Sequence, residues 1–255
     1  MKFSYRAVWA DTVATHRNHG PLIAAVAGVF LFLPALLIGY AFPQPETSNP
    51  DDAMRLLTEY WQAHWHWYLL SAVVSMIGTL AIMALVFRRG SVSVGGAIAA
   101  GAALLPFYLA ASILAGIPIF IGFLLLIVPG LYLFARFAPL APVMVSEGVR
   151  SPLAALGRTW TLTKGHGWAV LGIFLLVGVA GAVLLMVFTG IVGLILTLAL
   201  PEGAAGFLLL IIGTAASTVL QVVLILLYAA VYRALAGTAS ADHADQPGSG
   251  PIKGI

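Results

Sequence analysis

Long apolar runs constrain the fold of this chain more than any other feature of its sequence. A helix needs about 20 consecutive apolar residues to cross the ~30 Å hydrocarbon core of a bilayer, and several runs exceed that length. The chain divides into six apolar segments, at residues 21–42, 67–87, 102–115 and 119–137, then one that begins near Gly167 and one that ends near Tyr232. The sequence therefore predicts an all-α polytopic membrane protein with six transmembrane helices in three hairpins.

Composition agrees with this class and excludes several others. Only 8% of the residues are charged and 61% are hydrophobic, whereas a soluble domain carries about 25% charged residues. Alternating ten-residue segments of the kind that build a transmembrane barrel do not occur. The absence of cysteine excludes disulfides, thiolate metal sites and cysteine nucleophiles. Nucleic acid is not expected as a partner, because no basic patch is interleaved with exposed aromatic residues on a soluble domain.

The distribution of charge predicts the orientation. With six spans and a cytoplasmic amino terminus, eleven of the twelve basic residues fall inside and only Arg55 falls outside. The excess of Lys and Arg in cytoplasmic segments of membrane proteins favours this topology. The inside group is Lys2, Arg6, Arg17, Arg88, Arg89, Arg136, Arg150, Arg158, Lys164, Arg233 and Lys253, and the acidic outside group is Glu46, Asp51, Asp52, Glu59 and Glu202.

Short amphipathic segments next to the spans predict interfacial helices at about residues 4–18, 50–65, 93–101 and 151–164. The last of these is the clearest. Ser151 is a suitable N-cap, Pro152 suits the first helical position, and Gly165 ends the helix. We expect the tryptophans to anchor these segments at the membrane surface, because indole rings favour the headgroup level. They are Trp9, Trp61, Trp65, Trp67, Trp160 and Trp168.

Proline and glycine predict the remaining boundaries. Pro34 is expected to kink the first span, and Gly116 with Pro118 to form the hairpin between the third and fourth spans. Pro129 and Gly130 predict a break within the fourth span. The six-span membrane domain then covers residues 1–237, and the small polar residues of 238–255 predict a disordered cytoplasmic tail.

The interfacial segment before the first span resembles the one before the fifth. Residues 4–20 laid over 151–167 without gaps match at five positions, and Arg17 falls on Lys164. Residues 93–101 would open a third, degenerate copy. This pattern indicates a triplicated unit of one surface helix and two spans, with the alternative that interfacial helices share small and basic residues by chance.

A longer stretch resembles a known family. It comprises a Pro-Gly-x-Tyr-Leu run at 129–133, Arg136, the pair Glu147-Gly148, and an Ala-Leu-x-Arg-x-Trp-x-Leu-Thr-x-Gly run at 155–165. These residues resemble the glycerophosphoryl diester phosphodiesterase membrane-domain family and related six-span bacterial inner-membrane proteins. The resemblance implies a six-span helical domain in a bacterial inner membrane, with both termini cytoplasmic in the orientation above.

The resemblance does not extend to catalysis. In some members of that family the membrane domain precedes a soluble phosphodiesterase barrel, but the residues after the sixth span here are too few for one. The string THRNHG at 15–20 is only superficially like the start of such a catalytic domain, because the acidic metal ligands that should follow are missing. We therefore expect no enzymatic activity and no cofactor.

Arg136 is the most informative single charge, since a cation within a span is costly and needs a partner. One interpretation is a site for an anionic lipid or a substrate phosphate, completed by Arg158 or Lys164, with His166 and Arg17 as further cations. The alternatives are a structural pair of Arg136 with Glu147, or a side chain that reaches out to the membrane surface.

Other polar residues carry weaker hypotheses. His64 and His66 could form a metal pair, but positions i and i+2 of a helix face different ways, so we expect no metal site. His16, His19 and His166 could sense pH or simply face lipid headgroups. Gln221 is expected to bond a neighbouring helix, and two small-residue spacings, Gly178 with Ala182 and Gly213 with Ser217, predict close helix packing.

The leading hypothesis is a non-enzymatic integral inner-membrane protein that binds anionic phospholipid or a membrane partner through its basic interfacial helices. A protein partner or a second copy of the chain is compatible with it. The alternative is a transporter or flippase for an amphipathic or phosphorylated molecule that moves past Pro129 and Gly130. A third hypothesis, an intramembrane lipid enzyme, would need acidic or histidine side chains clustered at a cavity.

The orientation can be tested with membrane-impermeant labels at positions 88 and 158. Since the chain has no cysteine, Arg88→Cys and Arg158→Cys each introduce a unique thiol. Both should react in permeabilised cells and stay unlabelled in intact cells, because both lie on the predicted cytoplasmic side. Labelling of the two thiols from opposite compartments would overturn the six-span layout.

Overall fold

The computed structural model describes residues 4–45, 49–87 and 93–244, without the side chains of 50, 51, 202 and 238–244. These residues are helical nearly throughout and contain no strand, which confirms the predicted all-α class. The helices are α1 (Tyr5–Ala27), α2 (Leu33–Ala41), α3 (Pro50–Phe87), α4 (Val94–Leu125), α5 (Ile127–Phe137), α6 (Leu140–Glu147), α7 (Pro152–Leu162), α8 (Gly167–Ala199) and α9 (Glu202–Ala244).

Six helical segments of the described chain are long and apolar enough to cross a membrane. The first joins α1 to α2, the fourth joins α5 to α6, and the others are α3, α4, α8 and α9. Their bounds are Tyr5–Ala41, Asp52–Phe87, Val94–Leu125, Ile127–Glu147, Gly167–Ala199 and Gly203–Gly237. The chain is therefore a polytopic helical membrane protein with six spans, as predicted, while the grouping into three hairpins stays a prediction.

The first span is continuous with the segment that precedes it. Ser4 caps α1, where its Oγ accepts a hydrogen bond from the backbone N–H of Ala7 at 3.4 Å, and the helix passes through Pro21 without ending. A π-helical turn over Gly28–Phe32 then connects α1 to α2, and the N–H of Leu33 bonds the carbonyl of Gly28. This wide turn ends two residues before Pro34, which has no N–H to continue the α-helical pattern.

The predicted hairpin at Gly116 and Pro118 is wrong. The structure has one helix, α4, from Val94 to Leu125, so residues 93–101 form its start and not a separate surface helix. The chain reverses at Leu126, which is extended, with φ −162° and ψ 151°. Prolines are tolerated inside membrane helices where neighbouring groups satisfy the freed carbonyl, so neither Pro106 nor Pro118 ends this helix.

The predicted break at Pro129 and Gly130 is also wrong. Pro129 lies in the first turn of α5, where a backbone N–H has no intrahelical acceptor and its loss costs nothing. Gly130 packs closely against α4, since a Cβ on Gly122 would lie 3.0 Å from the Cα of Gly130. The fourth span is interrupted later, by the turn between α5 and α6 at residues 138–139.

The predicted boundaries of α7 agree with the structure. Ser151 is its N-cap and accepts from the backbone N–H of Ala154 at 3.4 Å, and Pro152 is its first residue. Gly165 has φ +80°, a conformation that favours glycine and lets the chain turn into α8.

At the other end of the chain α9 extends to Ala244, beyond the predicted start of the tail at 238. Residues 245–255, Lys2, Glu46, Arg88 and Arg89 lie outside the described residues.

The six spans pack in a closed order. The first span contacts α3 and α9, α4 lies between α3 and α5, and α8 lies between α5 and α9. The short helix α6 fills the space between α3, α4 and α9, and all residues from Leu140 to Met144 are buried. Two main hydrophobic clusters result, one joining α1, α3 and α9 and the other joining α5, α8 and α9.

Glycines allow the closest helix contacts, although not where the sequence predicted them. A Cβ on Gly101 of α4 would lie 3.0 Å from the carbonyl oxygen of Ile77 and 3.0 Å from the nitrogen of Ala81. On α8, Gly181 makes a close contact with Leu220 of α9. Gly178 has no neighbour within 4 Å of an added Cβ, and Gly213 only touches Thr189 at 3.8 Å.

Gly101→Leu should destabilise the protein by about 1–3 kcal/mol or more, because the added side chain meets rigid backbone of α3. The matched control is Gly178→Leu, which adds the same atoms on α8 where the space is open. Thermal unfolding in detergent measures both changes. Equal unfolding temperatures for the two variants would contradict the α3–α4 contact.

Candidate functional site

Arg136 is buried at the junction of α5, α7 and α8. It lies in the last turn of α5 and is 6% exposed. Its Nη2 donates to the backbone carbonyl of Trp160 at 2.7 Å, and its Nη1 donates to the hydroxyl of Tyr132 at 3.2 Å. The indole of Trp160 covers the guanidinium, with 3.9 Å from Cζ to the ring centroid. All of these partners are neutral, so the cation has no acidic partner among the described residues to balance its charge.

The alternative pair of Arg136 with Glu147 does not form. Glu147 instead pairs with Arg158, whose Nε lies 3.0 Å from each carboxylate oxygen. Tyr232 of α9 donates its hydroxyl to the same carboxylate at 3.0 Å. Glu147 ends α6, and its carboxylate binds Arg158 of α7 and Tyr232 of α9. Arg136 does not reach the surface either, because Trp160 lies over it.

One donor of Arg136 has no partner in the described chain. Its Nε is buried and makes no hydrogen bond. The adjacent Cδ lies against Gly167, the first residue of α8, where an added Cβ would come within 2.9 Å of it. The Nε is therefore beside the amino-terminal turn of a 33-residue helix. The first N–H groups of a helix have no intrahelical acceptor and carry partial positive charge.

The connection between α7 and α8 encloses this group of residues. The hydroxyl of Thr163 lies 3.3 Å from the carbonyl oxygen of Arg136, and Trp168 packs on Tyr132 with 5.0 Å between ring centroids. Lys164 and His166 lie on this connection, and Lys164 is exposed. The structure thus places two further predicted site residues on the connection that contacts Arg136 through Thr163 and Gly167. We call Tyr132, Arg136, Trp160, Thr163 and Gly167, with Lys164 and His166, the Arg136 cluster.

The other predicted cations lie elsewhere. Arg158 is held by Glu147, as described above. Arg17 is on α1, is exposed, and forms no ion pair within the described chain. It is not part of the Arg136 cluster, which α5, α7 and α8 build. The structure therefore divides the predicted site residues among three places.

Sequence reasoning missed several residues at the site. Tyr132 could have been found, because it precedes Arg136 by four residues and so shares its helix face. Thr163 and Gly167 reach Arg136 only through the tertiary fold. The ion pair of Asp11 with Arg233, 2.7 Å long and supported by Thr15, was also missed. It joins the first and last spans, and the spacing of 222 residues gives no local signal.

The predicted anchors are on the surface of the described structure. Each tryptophan is exposed, from 43% for Trp160 to 64% for Trp168. At the end of the first span, the hydroxyl of Tyr60 donates to the carbonyl of Phe42 at 2.7 Å, and the neighbouring rings pack around this contact. Their depth in a membrane stays a prediction.

The remaining polar residues serve local contacts. The Nδ1 of His64 lies 2.9 Å from the carbonyl oxygen of Tyr60 on its own helix, and its ring packs on Phe42. No group of three or more His, Asp or Glu residues that could hold a metal ion occurs among the described residues. The side chain of Gln221 is exposed and does not join two helices as predicted.

The fold and this site define a polytopic helical membrane protein with one buried arginine, Arg136, that has no acidic partner among the described residues. A comparison with protein-family models, with curated proteins and with solved structures finds no match. The resemblance to the phosphodiesterase membrane-domain family therefore stays a prediction.

The Arg158–Glu147 pair should contribute modestly to stability. Its arginine is 41% exposed and its glutamate 25%, and partly exposed pairs typically give about 0.2–1 kcal/mol. A double-mutant cycle with Arg158→Gln and Glu147→Gln, read by thermal unfolding, should return a coupling in that range. A coupling near zero would indicate that Tyr232 alone holds the carboxylate.

Proposed function

We propose that this protein is a non-enzymatic integral membrane protein of a bacterial inner membrane, and that it binds the phosphate of anionic phospholipids at the Arg136 cluster. One observation carries the proposal. Arg136 is a buried cation whose partners are all neutral and whose Nε has no hydrogen-bond acceptor in the part of the chain that the structure describes. An anion bound there would supply both the missing acceptor and the missing charge.

The energetics favour an anionic partner. A buried charge costs several kcal/mol unless it is paired and hydrogen-bonded. The contact with Trp160 stabilises the buried charge by about 2 kcal/mol when desolvated. The two hydrogen bonds to neutral oxygens stabilise it less than a charged partner would. A phosphate oxygen suits the unpaired Nε, because it accepts a charge-assisted hydrogen bond and supplies the negative charge that Trp160 and Tyr132 lack.

The surroundings of Arg136 add to this preference. The amino terminus of α8 lies beside its Nε, and such termini attract phosphate through their free N–H groups and helix dipole. Lys164 is exposed on the connection that leads into this helix. Clusters of cations at the cytoplasmic surface of a membrane protein favour anionic lipid headgroups, so we place the Arg136 cluster on the cytoplasmic side.

The absence of enzymatic activity is part of the proposal. It rests on the character of the residues that touch Arg136, which are two aromatic side chains, a threonine and a glycine, and on the use of Glu147 in a structural pair. Transport past Pro129 and Gly130 loses its structural basis, because α5 is regular there and packs tightly on Gly122 and Phe123.

Arg136→Gln should weaken binding of phosphatidylglycerol about tenfold or more, since a hydrogen bond to a charged group is worth about 1.5–3 kcal/mol. Native mass spectrometry of the detergent-purified protein titrated with this lipid measures the change. Phosphatidylcholine binding should be weak in both proteins. Arg6→Gln is the matched control, because Arg6 is exposed and lies on α1 outside the cluster.

A second variant separates binding from folding. Lys164→Gln alters an exposed side chain, so it should keep the unfolding temperature and still weaken phosphatidylglycerol binding. Unchanged affinity in both Arg136→Gln and Lys164→Gln, with folding intact, would refute the phosphate site.

A further inference from the structure

A groove of about 360 Å³ runs between the first span and α9, away from the Arg136 cluster. One wall is formed by residues of α1 and the π-helical turn, among them Ile23, Gly28 and Phe32. Residues of α9 such as Val219 and Val222 form the other wall. The lining is apolar except for Thr218 within it and His16 at one end.

The local sequence explains why the groove is there. The helix widens at the π-helical turn of Gly28–Phe32, and Gly28 carries no side chain. A Cβ on Gly28 would meet nothing within 4 Å, so the space beside it is open. The neighbouring wall residues Ala24 and Ala27 are small. On the opposite wall Val219 is 64% exposed.

The groove has the dimensions of a lipid chain. Sixteen residues separate His16 from Phe32, which corresponds to about 24 Å along a helix at 1.5 Å per residue. Both walls belong to candidate spans, Tyr5–Ala41 and Gly203–Gly237. The groove therefore faces the hydrocarbon of a bilayer along most of its length, where acyl chains are the available apolar molecules.

The charge at the His16 end is positive. Asp11, the acid of this segment, is already paired with Arg233 at 2.7 Å. Arg17 follows His16 directly, is exposed, and makes no ion pair with any residue that the structure describes. A cation at the end of an apolar groove complements a molecule with an anionic head and a hydrocarbon tail.

We propose that this groove binds one acyl chain of an anionic phospholipid, with the phosphate of that lipid against Arg17 and His16. The site is separate from the Arg136 cluster and does not depend on it. Burial in the groove gives little hydrophobic gain, because the chain is already in hydrocarbon. Selectivity must therefore come from the shape of the groove and from the charge at its end.

Photo-crosslinking tests this proposal on the full chain in lipid nanodiscs. The probe is phosphatidylglycerol with a diazirine in the middle of one acyl chain, and crosslinked peptides are mapped by mass spectrometry. Label should concentrate on residues 23–32 and 215–223. Gly28→Leu should reduce this label several-fold, because its side chain occupies the groove, whereas Gly178→Leu, in open space on α8, should not.

Two more variants complete the design. Val219→Trp fills the groove from the α9 wall and leaves the sequence of the π-helical turn unchanged. It should therefore reduce the label as Gly28→Leu does, even if Gly28→Leu folds poorly. Arg17→Gln should reduce crosslinking by the phosphatidylglycerol probe and leave a phosphatidylcholine probe of the same chain unchanged. Arg136→Gln should leave the groove label intact, which separates this site from the Arg136 cluster.

Three outcomes would overturn the proposal. Label spread evenly over other exposed apolar surfaces, such as α8, would indicate ordinary lipid contact. Label unaffected by both Gly28→Leu and Val219→Trp would show that the chain does not enter the groove. A dimer of the wild-type protein that both variants abolish would assign the groove to a second copy.

Discussion

The guanidinium of Arg136 is the interaction on which one end of the bundle depends. It holds the carbonyl of Trp160 on α7 and the hydroxyl of Tyr132 on α5, and its stem lies against the first residue of α8. A buried donor that finds no acceptor raises the free energy of the folded state. The contacts that order α7 therefore leave the Nε of Arg136 without an acceptor and its charge without an acidic partner among the described residues.

Around this cluster, ion pairs and a hydrogen bond to a carboxylate join helices that are both near and distant in sequence. Glu147 links α6 to α7 through Arg158 and to α9 through Tyr232, and Asp11 links the first span to the last through Arg233. Partly exposed pairs add little free energy singly. Their value here is geometric, because each pair fixes the relative position of two helices whose apolar surfaces would tolerate sliding.

The length of the apolar runs predicted the class and the number of spans. The ends of α7 were predictable because Ser151, Pro152 and Gly165 determine the backbone conformation within a few residues of themselves. The reversal at Leu126 was not predictable, since leucine carries no turn signal and the position depends on Gly122 meeting Gly130. Arg136 was found because a charge within a span is unusual. Of the alternatives left open for it, the pair with Glu147 does not form, because this nearest acid in sequence is engaged by Arg158 and Tyr232 in space.

The π-helical turn at Gly28–Phe32 has a consequence for the register of the first span. An ordinary helix rotates each residue by 100°, so the faces of α1 would continue unchanged into α2. One wide turn delays that rotation by about one residue, which turns the side chains of α2 relative to those of α1. The two halves can thus present different faces to α9, and an insertion or deletion within this turn would realign every contact from Leu33 to Ala41.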